Sequence, residues 1–219
     1  MTSTPGTPPS SLPLGLPTGS VAEAVLRVAR DSQSTSILNH SVRSFLFAQL
    51  VAEREGALND AAYDRDLLFA ATVMHDLGAG DLAHGAARFE VEGADLAAAV
   101  LTEQGVGAAD VDRVWEAIAL HTSPGIAERR GLLAYLTREG VGIDFGRRAE
   151  LVADRAKEIH DAYPRLAMVR TLTDAIVTRA ARSAAAAPAF SFAAELLRQR
   201  RENGITDLER GAAGCAWGE

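Results

Sequence analysis

The chain has 219 residues, 47% hydrophobic and 23% charged, with a formal net charge of -7; this is the composition of one ordinary folded domain and not of a disordered chain. No stretch gathers Arg and Lys with aromatics between them, which argues against nucleic acid as a partner. The single cysteine, Cys215, rules out a disulfide framework or a thiolate metal cluster within the chain.

The first nineteen residues, MTSTPGTPPSSLPLGLPTG, hold no basic residue and no continuous apolar run. Pro, Ser, Thr and Gly of this density cannot bury enough apolar surface to offset chain entropy, so residues 1–19 are expected to form a flexible tail. The same stretch argues against a secretory signal and a membrane span, so a cytoplasmic protein is expected.

From Val21 onward the apolar spacing is helical, and alternating strand-like runs are nearly absent. In STSILNHSVRSFLFAQLVAEREG, Leu38, Val42, Phe45, Leu46 and Leu50 share one face, Ser34 to Ser36 offer N-caps and Gly56 a stop. His40 falls in the first turns of that helix. In DRDLLFAATVMHDLG, Asp64 and Asp66 open a helix, Gly78 reads as its C′ glycine, and His75 and Asp76 occupy the last turn. A further helix is predicted over FEVEGADLAAAVLTEQ, stopping at Gly105. In AADVDRVWEAIALHT, Val111, Val114, Trp115 and Ile118 form the stripe and His121 closes the helix before Pro124-Gly125.

Next come RGLLAYLTREGVGIDFG, with Asp144 read in or just before a helix start, and RAELVADRAKEIHDAYP, ended by Pro164. LAMVRTLTDAIVTRAARSAAAA and FAAELLRQRREN, separated by Pro188, complete an all-α chain of about seven or eight helices by usual helix and loop lengths. The helical domain is expected over 20–205, with a flexible C-terminal tail over 206–219. The Ala-rich last helices could pack against their own core or against a second copy of the chain, so a homo-oligomer is open.

His75 and Asp76 are metal-competent side chains placed where an apolar helix ends. An HD dipeptide alone specifies nothing, since its side chains diverge by about 100° on a helix of 3.6 residues per turn. His160-Asp161 repeats it before Pro164 with no supporting motif and reads as a solvated helix terminus. His40 and Asp144 are placed to converge on His75-Asp76 in a bundle core, and bundles build metal sites from such inward side chains. His nitrogen with Asp oxygen suits zinc, iron, manganese, nickel or cobalt. A site at helix ends can also keep a coordination position open to water and substrate.

The strings HSVRSFLFAQL, DLLFAATVMHDLG, RFEVEGAD, WEAIALHTSPGI and GVGIDFG, in this order from about Ser36 to Gly146, resemble the HD-domain superfamily of metal-dependent phosphohydrolases. More closely, they resemble its branch related to cyanamide hydratase. The resemblance implies a helical fold with one divalent transition metal, zinc first among the candidates, held by His40, His75, Asp76 and Asp144. In that branch the metal activates water, which adds across the carbon–nitrogen triple bond of a small nitrile. Asp76 and His121 are then the catalytic pair, His121 as a proton shuttle or as a partner of the bound water or substrate.

Three readings follow: a hydratase-like hydrolase acting on a small molecule, a phosphohydrolase, and a binding module that keeps a structural metal. Arg43 and Arg88 discriminate the second, because a phosphate needs nearby cations; otherwise each pairs with a carboxylate such as Glu90. His84, in the Gly- and Ala-rich loop after the HD pair, is the candidate for a substrate contact or a second metal. Otherwise it is a loop residue.

Overall fold

A computed structural model describes residues 10 and 12–218, and within them ten α-helices and no strand. In chain order they are α1 Ser20–Ser32, α2 Thr35–Arg54, α3 Arg65–Met74, α4 Phe89–Glu103, α5 Ala108–Leu120, α6 Leu132–Asp144, α7 Ala153–Ala162, α8 Met168–Ala180, α9 Phe192–Asn203 and α10 Asp207–Ala212. The count exceeds the expected seven or eight, because α1 precedes the eight segments read as helices and the short α10 forms beyond residue 205. No helix among the described residues is long and apolar enough to cross a membrane.

Local chemistry sets the starts of the helices that matter for the site. Ser34 caps α2 by accepting from the Ile37 amide, and Asp64 caps α3 by accepting from the Asp66 and Leu67 amides at 2.9 and 3.0 Å. α2 is buried along nearly its whole length and packs against α6. Gly140 permits that approach: a Cβ there would stand 2.1 Å from the Ser44 carbonyl oxygen. Gly78 is likewise required by contact and not by helix termination. It lacks a positive φ, and a Cβ on it would meet the Phe89 carbonyl oxygen at 1.8 Å, so it seats the loop after His75-Asp76 on the start of α4.

Two apolar clusters share the interior. The larger gathers α1 to α6 around Phe45, Phe69 and Leu101; the smaller joins α8, α9 and α10 to Phe89 and Ile37. A cavity of about 330 Å³ opens beside the smaller cluster, lined by its Phe89, Leu172 and Ile176, by Phe145 and Phe192 that pack on it, and by Val141 of α6.

The expected C-terminal tail needs correction, and the described end of the N-terminal segment makes contacts of its own. Residues 1–9 lie outside the described residues, but Leu12, Leu14 and Leu16 pack on the larger cluster. The Arg155 guanidinium donates to the Ser10 and Leu12 carbonyls. The three leucines, spaced two apart, are each partly buried. At the other end, α10 starts with a full capping box, Thr206 and Glu209 each satisfying the other's backbone amide. Trp217 donates from Nε1 to the Ile143 carbonyl at 2.6 Å and stacks on Phe47. Residues 206–218 are therefore part of the fold.

Candidate metal centre

Three helices bring the polar residues together. His40 comes from the first turns of α2, His75 and Asp76 follow the end of α3, and His121 caps the end of α5. All four side chains are buried. Each histidine has Nδ1 engaged with an oxygen: His75 with the Thr72 carbonyl at 2.7 Å, His121 with the Ile118 carbonyl at 2.6 Å, His40 with Asp144 Oδ2 at 2.6 Å. A carbonyl oxygen can only accept, so Nδ1 carries the proton in His75 and His121 and Nε2 faces inward.

All three Nε2 atoms face the Asp76 carboxylate. They lie 3.7 Å (His40) and 3.0 Å (His75) from Oδ2, and 3.8 Å (His121) from Oδ1. His40 Nε2, His75 Nε2 and Asp76 Oδ2 are buried with no aligned hydrogen-bond partner; the 3.0 Å His75 contact is close without hydrogen-bond geometry. Leaving three such atoms unsatisfied costs about 1–3 kcal/mol each, more for a charged group. A cation between them removes that cost. Ligand atoms of His40, His75 and Asp76 lie within 4.8 Å of one another, so these three side chains could hold a metal ion.

The electrostatics favour a cation. Burial alone would raise the Asp76 carboxyl, but His75, then His40 and His121, hold it well below the usual carboxylate range. Burial would lower His75, and the Asp76 charge outweighs it and raises this imidazole. The negative potential that raises His75 is the one that draws a metal. Burial lowers His40 despite the opposing pull of Asp144, and burial together with His75 pushes His121 down to about 4. His121 is therefore a neutral base at pH 7.

The structure does not bring Asp144 into this group. It is the last residue of α6, not the start of the following helix, and its carboxylate is fully occupied behind His40. Arg43 donates to both of its oxygens at 2.7 Å from Nε and Nη2, and Arg165 donates to its backbone carbonyl at 2.9 Å. Burial would raise its carboxyl; Arg43, His160 and His40 keep it well below the usual range. The position was misread because Gly140 and Gly142 look like helix breakers, yet both lie inside α6, Gly140 where backbone contact demands glycine and Gly142 beneath the Arg147 guanidinium.

The candidate substrate residues fall elsewhere. Arg43 is completely buried, its remaining Nη1 donating to the Tyr163 and Pro164 carbonyls. Arg88 pairs with buried Glu90 at 2.8 Å. Neither lines the cavity, and both have the structural carboxylate partner that was the alternative. His84 is exposed in the loop before α4, its backbone amide donating to Glu92. His160 is no solvated terminus: Phe47 and Trp217 pack on its ring at 5.7 and 5.2 Å, and Nε2 lies 3.7 Å from Asp144 Oδ1.

Two arginines that no motif marked do line the cavity with His40, His75, Asp76 and His121: Arg138 and Arg147. Arg138 donates to the His121 carbonyl at 2.9 Å and to Glu128; Arg147 donates to Glu139 at 2.6 Å. Their relation to the histidines is made by the folding of α6 onto α5, which local spacing does not reveal.

An all-helical bundle with three histidines around one buried aspartate, in the wall of an apolar cavity, defines a helical domain with a candidate site for a divalent metal. A family model described as HD domain matches residues 37–185, well over half of the chain, and the protein belongs to the HD domain family. That membership makes it, at the coarse level, a metal-dependent hydrolase. No curated protein matches the chain.

Proposed function

We propose that the protein holds one divalent transition metal, zinc first, through His40, His75 and Asp76, and uses it to add water to a small organic molecule, as cyanamide hydratase-like enzymes add it to nitriles. The observation that carries the reading is the convergence of three buried, unsatisfied ligand atoms in the wall of a cavity. A bound divalent metal of this kind polarises water and brings its pKa toward neutrality.

The chain's own residues supply the rest. Asp144, with Arg43 behind it, fixes the ring of His40. His121, neutral and locked at Nδ1, offers Nε2 as the acceptor for a proton from the attacking water. In nitrile hydration the water oxygen bonds to the nitrile carbon, and both water protons end on nitrogen, giving the amide. Phe89, Val141 and Phe145 give the cavity an apolar wall.

A second reading, hydrolysis of a phosphate ester, draws support from Arg138 and Arg147 in the cavity wall. It lost Arg43 and Arg88, the residues on which it first depended.

The test is elemental analysis of the purified protein beside Asp76→Ala, followed by turnover assays on nitriles and phosphate esters. One equivalent of a transition metal, lost in the variant, together with amide formation, is the expected result. No metal in either protein after reconstitution would leave a binding module; release of phosphate without amide would establish the second reading.

A further inference from the structure

The cavity is far larger than a three-heavy-atom nitrile requires. Its volume of about 330 Å³ equals that of roughly eleven waters at ~30 Å³ each, and lies at the lower end of pockets that enclose small organic ligands. Cyanamide would leave most of that space to water, against walls of Phe89, Val141, Phe145, Leu172, Ile176 and Phe192. Apolar walls of this extent are matched by an apolar ligand body, since each buried CH₂ contributes about 0.8 kcal/mol.

The two ends of the cavity differ in charge and in exposure. The histidine and Asp76 end is closed, with His40 and His75 completely buried. Arg147 lines the same cavity with a side chain that is 41% exposed, so it stands at the open side. One of its nitrogens, Nη2, is held by Glu139, which leaves Nε and Nη1 able to donate to a ligand. Glycine at 142 is what lets the guanidinium lie there: a Cβ at that position would stand 2.6 Å from Arg147 Nε. Because Arg148 also pairs with Glu139, at 2.7 Å, that carboxylate keeps a partner when Arg147 is changed.

We propose that the substrate is an amphiphilic organic anion: an apolar aryl or branched alkyl body with the group that takes up water at the closed end and a carboxylate on Arg147 at the open end. This rests on the proposed function for its reacting group, and on cavity shape and Arg147 for recognition. The neutral reacting group meets the histidine end, where Asp76 repels an anion; the carboxylate meets Arg147, the more exposed of the two guanidiniums that line the wall among the described residues.

The experiment is isothermal titration of the zinc-loaded full chain with 4-cyanobenzoate, benzonitrile and cyanamide, alongside assays for the corresponding amides. The carboxylate probe should bind about tenfold more tightly than benzonitrile, as expected for one charge-assisted pair at a partly exposed site. Arg147→Gln should bring it down to the level of benzonitrile, and Arg147→Lys should retain part of the preference. Gly142→Ala, which displaces the guanidinium without removing it, should act like Arg147→Gln. Equal binding of the two aryl probes, or an undiminished preference in Arg147→Gln, overturns the proposal. Hydration of cyanamide with no binding of either aryl probe also overturns it, while leaving the metal-hydratase reading intact. Arg147-dependent binding of 4-cyanobenzoate with no amide formed supports the proposal and counts against nitrile chemistry.

Discussion

His40 Nδ1 stands 2.6 Å from Asp144 Oδ2, with both side chains completely out of solvent. The same carboxylate takes two N–H groups of Arg43, so one buried acid orients the imidazole and neutralises the guanidinium beside it. Histidines that bind metals are commonly held this way by a carboxylate on the far nitrogen, which aims the near nitrogen and raises its basicity.

Asp144→Asn is therefore expected to weaken metal binding by about 10–100-fold without abolishing it, the range seen when such a support is removed. It should also cost about 3 kcal/mol or more of stability, because Arg43 stays buried with its charge uncompensated. Competition titration with a chromophoric chelator and urea unfolding measure the two effects. Complete loss of metal, equal to that of Asp76→Ala, would instead make Asp144 a direct ligand, as the family resemblance implies.

Gly140 joins α6 to α2 and so holds Asp144 against His40. Gly140→Ala would place a Cβ 2.1 Å from the Ser44 carbonyl oxygen and 2.8 Å from the Ala48 Cβ. Neither is the flexible end of a side chain, so the helices must separate. Overpacking of this kind costs about 1–3 kcal/mol, and here it should also lower metal affinity by moving His40 from Asp144. Ala substitution at Gly56, which ends α2 with open space around it, should destabilise only through its positive φ of 72° and leave the metal untouched. Equal metal affinity in both variants would refute the coupling.

Much of this arrangement could be read from local spacing. FAAELLRQRREN is α9 residue for residue, and FEVEGADLAAAVLTEQ exceeds α4 by one. The histidines at helix ends were legible because apolar periodicity fixes where a helix stops, and they lie where it stops. Asp144 was misplaced because the intrinsic cost of Gly140 and Gly142 in a helix is outweighed by the packing they permit. Arg138 and Arg147 carried no local signal at all; their place in the cavity comes from contacts between helices. The C-terminal segment was misread for a related reason, since composition reports average burial and misses a well-placed anchor such as Trp217.

Trp217 offers a direct measure of that last point. It stacks on Phe47 with ring centroids 6.0 Å apart, covers His160 and donates to the Ile143 carbonyl. Full burial of an aromatic makes its removal cost about 3–5 kcal/mol; for a half-buried ring, Trp217→Ala should cost about 2 kcal/mol. Urea unfolding followed by circular dichroism reads this. A change within about 0.5 kcal/mol, the usual effect of an unconstrained surface residue, would return residues 206–218 to the status of a tail.

Metal binding should itself stabilise the fold, because the ligands come from separate helices and the unfolded chain cannot present His40 beside His75 and Asp76. At free metal one hundred times the dissociation constant, linkage predicts about 2.7 kcal/mol. For a chain of this size that corresponds to roughly 5–10 °C in Tm, at about 2–4 °C per kcal/mol. Zinc added to chelator-treated protein should raise the transition by that amount, and the rise should grow with the logarithm of zinc concentration. Asp76→Ala should show no such rise, because removing the one carboxylate that all three Nε2 atoms face leaves histidines only, the nearby Asp144 being paired with Arg43. An equal shift in the variant would mean that zinc binds elsewhere on the surface, and no shift in the unaltered protein would mean that the three orphaned atoms do not form a metal site.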